Sequence, residues 1–499
     1  MLQHPRSAPR RGGAARCKQV WSYRWIIALG VLAPALPFLL WSCNSHPLER
    51  PDRQPLGEAV QYREVSPVKN VDILFVVDNS GSMSEEQGNL TRNFRAFMDV
   101  LATIPGADLH IASVNSDLGA GVVTNSTACL PTPGGDRGVF CSVKGVDRCG
   151  GACGVDVTNG RFIRTVPPNF AGAIQDRFAC MATYGTNGCG FEHTLGSLRS
   201  ALTAPENAGF IRDDAYLAFV VITDEDDCTA PADSQMFAAD NPGQDTSLRC
   251  ALAGHVCNGQ HNTGAQAVDL PLSACSAAPD GGLVPIPELV NAVLDIKKDP
   301  NRVIAAGIFG WPLPGQEAGA RYEIERGGGG GGGAFSLQPV CSSTGNGSAT
   351  SAYRVKSFVE SFPNNSVFSI CQNDFSAAMR QIGEKIRTIV GPACVTAPLI
   401  DTNLATTAMD PDCNVVERVP RPGVSGQWNE TLVPRCPTGA TQPCWDLVPD
   451  PTCTASGQQI LIDRKGTTPA EGTQQVFRCL TCPSRSTPGE CNPKPVQMP

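Results

Sequence analysis

Asp78, Ser80 and Ser82 occupy alternate positions in the stretch ILFVVDNSGSMSEEQ, residues 73–87. One carboxylate and two hydroxyls offered from a short loop are hard oxygen donors. They suit Mg2+, Mn2+ or Ca2+ rather than a soft metal. Two of the three donors are neutral, so a divalent ion held by them keeps much of its charge and can attract an outside carboxylate. Asp224, in AYLAFVVITDEDD (215–227), is positioned to complete the set, directly or through water. The competing reading makes Asp78 a helix cap, since Asp and Ser are common in turns and caps. Asp226 and Asp227 read as solvated loop acids, His193 as an exposed residue at a helix start, and Asp117 as an Asx-turn.

The elements that must position these donors alternate. VDILFVVD (71–78) is an apolar, β-branched run, as expected of a strand buried on both faces of a parallel sheet. Leu90, Phe94, Phe97, Met98 and Leu101 then recur at helical spacing, with Ser84 as the expected N-cap. Further strands are expected over 107–117, 215–227 and 301–310. Helices are expected over 168–185, 191–204, 286–298, 353–362 and 374–391. The alternation predicts an α/β fold, an open, mostly parallel sheet with helices on both faces. Ligands in such folds sit outside the carboxyl ends of the strands, where Asp78 and Asp224 both lie.

The chain has 499 residues, too many for one ordinary core. Gly (51) and Pro (41) are abundant, which argues for long loops. Of 22 cysteines, Cys17 and Cys43 fall in segment 1–43, leaving an even number beyond it. With only six His in the chain, disulfides fit them better than zinc. Two long insertions, about 125–165 and 228–282, are loop-like and cysteine-bearing. Residues 327–333 are seven consecutive glycines, a flexible loop. Residues 392–499 hold eight cysteines, many Pro and Thr and little helical periodicity, which predicts a cysteine-rich, β-rich C-terminal region. Cys149 with Cys153, and Cys479 with Cys482, read as structural disulfide cysteines rather than redox or zinc motifs.

Segment 1–43 carries six basic residues and no acid, followed by the apolar run 25–41 that Pro34 and Pro37 interrupt. That pattern reads as an export signal. Leu40, Ser42 and Cys43 resemble the lipobox of bacterial lipoproteins. The resemblance implies a lipid-modified Cys43 as the new N-terminus, and Asn44 implies transfer to the outer membrane. An uncleaved N-terminal anchor is the alternative. Residues 44–69 read as a tether with a reach of roughly 25–30 Å. The formal charge of −8 becomes more negative still without the basic leader. This opposes nucleic-acid binding.

Residues 70–391 resemble a von Willebrand factor type A domain, with Asp78, Ser80 and Ser82 similar to its metal-ion-dependent adhesion site. The family's later aspartate matches Asp224, with Glu225 where Gly is usual. Its middle ligand, a threonine before a helix, falls near Glu192 and Thr194. Glu192 is the favoured ligand and Thr194 the alternative. This resemblance implies a divalent-cation cofactor and a protein partner presenting an acidic residue; the lipobox implies a membrane link through a lipid anchor. The function expected is metal-dependent adhesion or scaffolding in the cell envelope. A structural metal in a scaffold whose insertions or tail do the binding is the second reading, and a metal-assisted hydrolase the third. No nucleophile elbow, H-E-x-x-H or P-loop is present, so no enzyme is expected.

Overall fold

The structure, a computed structural model, describes residues 57–64 and 70–481. Within that span it omits 105–106, 124–125, 130–133, 238–245, 262–272, 280–281, 327–334, 344–346 and short stretches within 391–472. Segment 1–43 with Cys43, which reads as an export signal, the glycine run, Cys482 and Cys491 therefore lie outside the described residues. Among the described residues, no helix is long and apolar enough to cross a membrane.

Strand β1 is Gly57–Glu64 and β2 is Asn70–Val77, followed by α1, Ser84–Leu101. Next come β3 (Asp108–Asn115), β4 (Ile163–Arg164), α2 (Ile174–Ala182) and α3 (Thr194–Thr203). They are followed by β5 (Tyr216–Thr223), α4 (Thr246–Gly254), α5 (Ile286–Lys297) and β6 (Val303–Phe309). Helix α6 (Tyr353–Glu360), β7 (Asn364–Ser369) and α7 (Ser376–Val390) complete the α/β part.

The central sheet has six strands in the order β7-β6-β5-β2-β3-β4. All its pairings are parallel except that of β4 with β3. From β2 the chain winds outward through β3 to β4. It then returns beside β2 as β5 and winds out the other way. The reversal leaves a crevice between β2 and β5 at their carboxyl ends, where doubly wound folds place ligands.

Strand β2 shows why its run is uniformly apolar. Val71, Ile73, Phe75 and Val77 pack into the core beneath α1, α2 and α7. Leu74 and Val76 face the opposite core, with α3, α5 and α6. Both faces are buried, so no polar alternation survives. Phe94 of α1 stacks on Phe178 of α2 with ring centroids 3.6 Å apart, and Phe75 meets both edge-on. The two edge strands escape the apolar pattern. β4 has only two residues, inside the expected insertion 125–165, and most of β7 is half-buried. The N-cap of α1 is Met83, without a side-chain cap bond, rather than the expected Ser84.

The C-terminal region is strand-rich, as expected. It contains β8 (Ala393–Cys394), β9 (Cys413–Pro420), β10 (Trp428–Val433), β11 (Cys444–Pro449), β12 (Gln458–Asp463) and β13 (Gln474–Thr481). The expected tether 44–69 is corrected in its second half. Its residues 57–64 form β1, which pairs antiparallel with β13 along its whole length, Gly57 opposite Thr481 and Glu64 opposite Gln474. One sheet thus runs β1-β13-β9-β10 and a second β8-β12-β11. The α/β part is an excursion between two pieces of one β-structure.

All 18 cysteines among the described residues are paired, in nine disulfides. Cys149 joins Cys141, Cys153 joins Cys180, and Cys479 joins Cys413. That density fits an oxidising compartment outside the cytoplasm.

Candidate functional site

Asp78 is fully buried just past the end of β2, and its amide donates to Ile222 O of β5 at 2.9 Å. Its carboxylate is fixed by neutral donors. Oδ1 accepts from the Ser80 amide at 2.8 Å and the Ser116 hydroxyl at 3.2 Å, and Oδ2 from the Thr223 hydroxyl at 2.7 Å. Ser80 and Ser82 hydroxyls lie 3.3 Å apart on the same loop. The helix-cap reading fails, because no side chain caps α1. Instead Gln87, one turn into α1, donates to Asp78 O and Gly185 O and accepts from the Tyr184 and Gly185 amides. It clamps the Asp78 loop to the loop that leads to Glu192. At Gly188 that loop runs so close to Asn79 that a Cβ would lie 2.4 Å from its side chain.

Glu192 and Asp224 are 1% and 2% exposed, and each has a buried oxygen, Glu192 Oε2 and Asp224 Oδ1, without a hydrogen-bond partner. Burial pushes the Asp224 carboxyl well above the usual range, and the charges of Asp78 and Glu225 push it further. Glu192 is raised in the same way, by burial and then by Glu225 and Asp78. Burial raises Asp78 as well, against the donors from Ser80, Thr223 and Ser116. Ser82 hydrogen-bonds the Asp224 side chain. Glu86, in the first turn of α1, is pushed up to about 7 by burial and by the charges of Glu85 and Asp78. Its Oε2 is likewise buried without a partner.

The structure therefore brings Asp78, Ser80, Ser82, Glu192 and Asp224 to one rim, on the loops after β2 and β5 and before α3. It adds two carboxylates not assigned as ligands from the sequence, Glu86 and Glu225. Glu225 had a signal, an acid where the resemblance calls for Gly. Glu86 had none beyond its place in SEEQ.

Thr194, the alternative ligand, has a different partner among the acids. It is fully buried, and its hydroxyl faces Asp227 at 3.5 Å. Asp227 also accepts from the Leu195 amide at 3.0 Å and from the Arg354 guanidinium at 3.0 Å. Asp226 accepts from the Arg354 and Val355 amides and from His255 Nε2 at 2.6 Å. The expected solvated acids are thus buried carboxylates that satisfy the open N–H groups at the starts of α3 and α6. Burial opposes the charge on Asp226, but the His255 bond and charge and the Arg354 amide outweigh it, so its pKa lies below the usual range. His193 is not exposed. It is 3% accessible, with Nε2 2.9 Å from Gly119 O. Asp117 makes the expected Asx-turn, accepting from the Gly119 amide at 2.9 Å.

Among the described residues, no group of three or more His, Cys, Asp or Glu side chains is arranged to hold a metal ion. The hydroxyls of Ser80 and Ser82 would have to complete any set. The donor chemistry nevertheless fits a hard divalent cation. Buried carboxylate oxygens without donors, beside other carboxylates, are costly unless protonated or met by a cation.

No protein-family model and no curated protein matches the sequence. Among solved structures, the chain is similar to a von Willebrand factor type A protein from Catenulispora acidiphila. The identity is 10% and the TM-score 0.27, over 87% of this chain and 67% of that one. It is also similar to the pilus adhesin SpaC from Lactobacillus rhamnosus GG in its open conformation, at 13% identity and a TM-score of 0.27, over 86% of this chain and 41% of SpaC. A third is the pilus adhesin RrgA from Streptococcus pneumoniae, at 11% identity and a TM-score of 0.20, over 85% of this chain and 58% of RrgA. The chain spans about two thirds of the first and less of the other two. At such values the strand order itself is the ground for the fold. The described chain is a doubly wound α/β structure of the kind the von Willebrand factor type A resemblance implies, joined to a disulfide-rich β-region.

Proposed function

We propose that this protein is an exported, cell-envelope binding module that holds a divalent cation at the rim between β2 and β5 and engages a protein partner there. The observation that carries the reading is the pair of buried, donorless carboxylate oxygens on Glu192 and Asp224 beside Asp78. Asp78, Ser80, Ser82, Glu192 and Asp224 would hold the ion. When bound, the ion would supply a Lewis-acidic point able to take an oxygen donor from outside, an acidic side chain if it keeps positive charge. The chain's own residues orient the ligands: Thr223 and Ser116 set the Asp78 carboxylate, and Gln87 fixes the loop spacing. The proposal includes no catalytic step. Anchoring through a lipidated Cys43 at the outer membrane is part of the same reading and is supported by the residues 40–44 alone.

A structural role for the ion is the second reading. The contacts that already tie the Asp78 and Glu192 loops together favour it.

Thermal unfolding of the oxidised exported chain, with and without Mg2+, Mn2+ or Ca2+, tests the site. A ligand of the folded state adds ~2.7 kcal/mol at a hundredfold excess over its dissociation constant. The gain should vanish in Asp78→Asn. No gain with any of the three ions rules the cation out. Partner capture is tested by retention of the purified chain on cell surfaces, which should fall on chelation and in Asp78→Asn.

A further inference from the structure

The geometry points to a second binding site, a cleft along α6 that takes a neutral saccharide. The inference is independent of the cation reading proposed above. The cleft has two lobes, of about 390 Å3 and about 420 Å3, that meet at Ala277, Ser357 and Ser361. Each lobe falls within the size range of small-molecule sites, roughly 300–1,000 Å3. The first is lined by Trp311, two residues past β6, and by Tyr353, the first residue of α6. Both rings are half-buried, and they meet edge to face, with centroids 5.2 Å apart and planes at 86°. The fold fixes their positions. The Ser369 hydroxyl donates to Trp311 O at 2.5 Å, and Asp226 accepts from the Arg354 and Val355 amides at the start of α6. Another wall is the strand Cys275–Ala277 of the insertion 228–282, which pairs antiparallel with His255–Cys257 and is tied to it by the Cys257–Cys275 disulfide.

The lining selects the chemistry of the ligand. Its charged groups are Lys356 and Glu360, which pair with each other at 2.5 Å, and the Lys356 ammonium also lies 5.2 Å from the centroid of the Trp311 ring. The two charges compensate, so the cleft is electrostatically complementary to a neutral ligand rather than to an ion. Ser276, Ser357 and Asn291 add neutral side chains that both donate and accept. A pyranose ring matches this set. It carries hydroxyls around its edge and C–H bonds on its faces, and those weakly positive C–H groups lie well on the negative face of an aromatic ring. A polyproline segment also docks on aromatic-lined grooves. It presents carbonyl acceptors without donors, and so answers only half of the polar lining.

The test titrates the oxidised exported chain with the neutral disaccharides cellobiose, lactose, mannobiose and chitobiose by calorimetry. Sialic acid is the anionic control and a proline-rich peptide the competing occupant. At least one disaccharide should bind, and its binding should persist in chelator and in Asp78→Asn, which separates the cleft from the rim. Trp311→Ala should weaken it by about tenfold, the ~1.4 kcal/mol of one ring contact, and Trp311→Tyr should restore most of the loss. Trp311 also packs against the core, so a second variant is needed. Ser357→Phe, at the junction of the two lobes, should abolish disaccharide binding with the Tm unchanged. Failure of all four disaccharides to bind overturns the proposal. Capture of the proline-rich peptide in their place reassigns the cleft to a protein partner, and sialic acid bound as tightly removes the selection for a neutral ligand. Disaccharide binding unchanged in both Trp311→Ala and Ser357→Phe places the saccharide elsewhere and overturns the site.

Discussion

Strand β2 has a buried aspartate at each end, and the two are handled in opposite ways. Asp72, near its start, meets cations supplied by the fold. Arg212 Nε lies 2.8 Å from it and Lys297 Nζ 3.4 Å, and Lys297 also donates to Arg212 O and Ala215 O. Asp78, just past its end, meets only hydroxyls and an amide, and its charged neighbours are other carboxylates. Burial raises both carboxyls; at Asp72 bonds and charges of Arg212 and Lys297 offset only part of the rise, while at Glu192 and Asp224 neighbouring acids add to it. One end of the sheet is electrostatically closed. The other would be closed by a cation from outside. Under the proposed function, the difference leaves the carboxyl end as the one that a cation would complete.

The sharpest way to break this contrast is Lys297→Met. Removing one partner from a buried ion group costs about 3–5 kcal/mol, read by denaturant unfolding, and no divalent ion should restore it. Rescue by Ca2+ or Mg2+ would place the cation at the wrong end. Next in size is the ion's own contribution. Saturating cation should add its ~2.7 kcal/mol to the Lys297 variant as fully as to wild type, since the two ends share no ligands. A much smaller increment in the variant would show that they are coupled.

The pH dependence sharpens the comparison further. Glu86 binds its proton more tightly in the folded state, with its pKa raised from 4.5 to about 7. The folded state then holds more protons than the unfolded state across that window, so ion-free stability falls as pH rises from about 4.5 to about 7. Glu192 and Asp224, also raised, act in the same direction. Cation should flatten the slope. A Tm that climbs with pH through this window in chelator would contradict it. The smallest effect is expected from Ser82→Ala. The residue is exposed and its hydroxyl neutral, so cation affinity should drop by about tenfold or less, ~1.4 kcal/mol, with a small loss of ion-free stability from its bond to Asp224.

Position in the sequence determined a good deal. The uniform apolar runs at 71–77 and 216–223 specified strands buried on both faces, because only such strands lack alternation. D-x-S-x-S after the first run, and an acid after another, placed hard donors at the ligand rim before any contact was known. The even cysteine count carried the disulfide reading, but its connectivity did not follow from sequence.

Other features depended on contacts distant in the chain, and only the tertiary structure decided them. Strand β1 exists because β13, some four hundred residues later, offers its edge. Nothing local in GEAVQYRE distinguishes it from a tether. The partner of Thr194 is Asp227, which accepts from its hydroxyl and from the Leu195 amide at the start of α3. Asp226 and Asp227 looked like surface acids until α3, α6, His255 and Arg354 packed around them. Periodicity and residue type fix what a segment can bury and donate. Which buried charge finds a cation, and which is left for a ligand, depends on side chains that only folding brings within 3 Å.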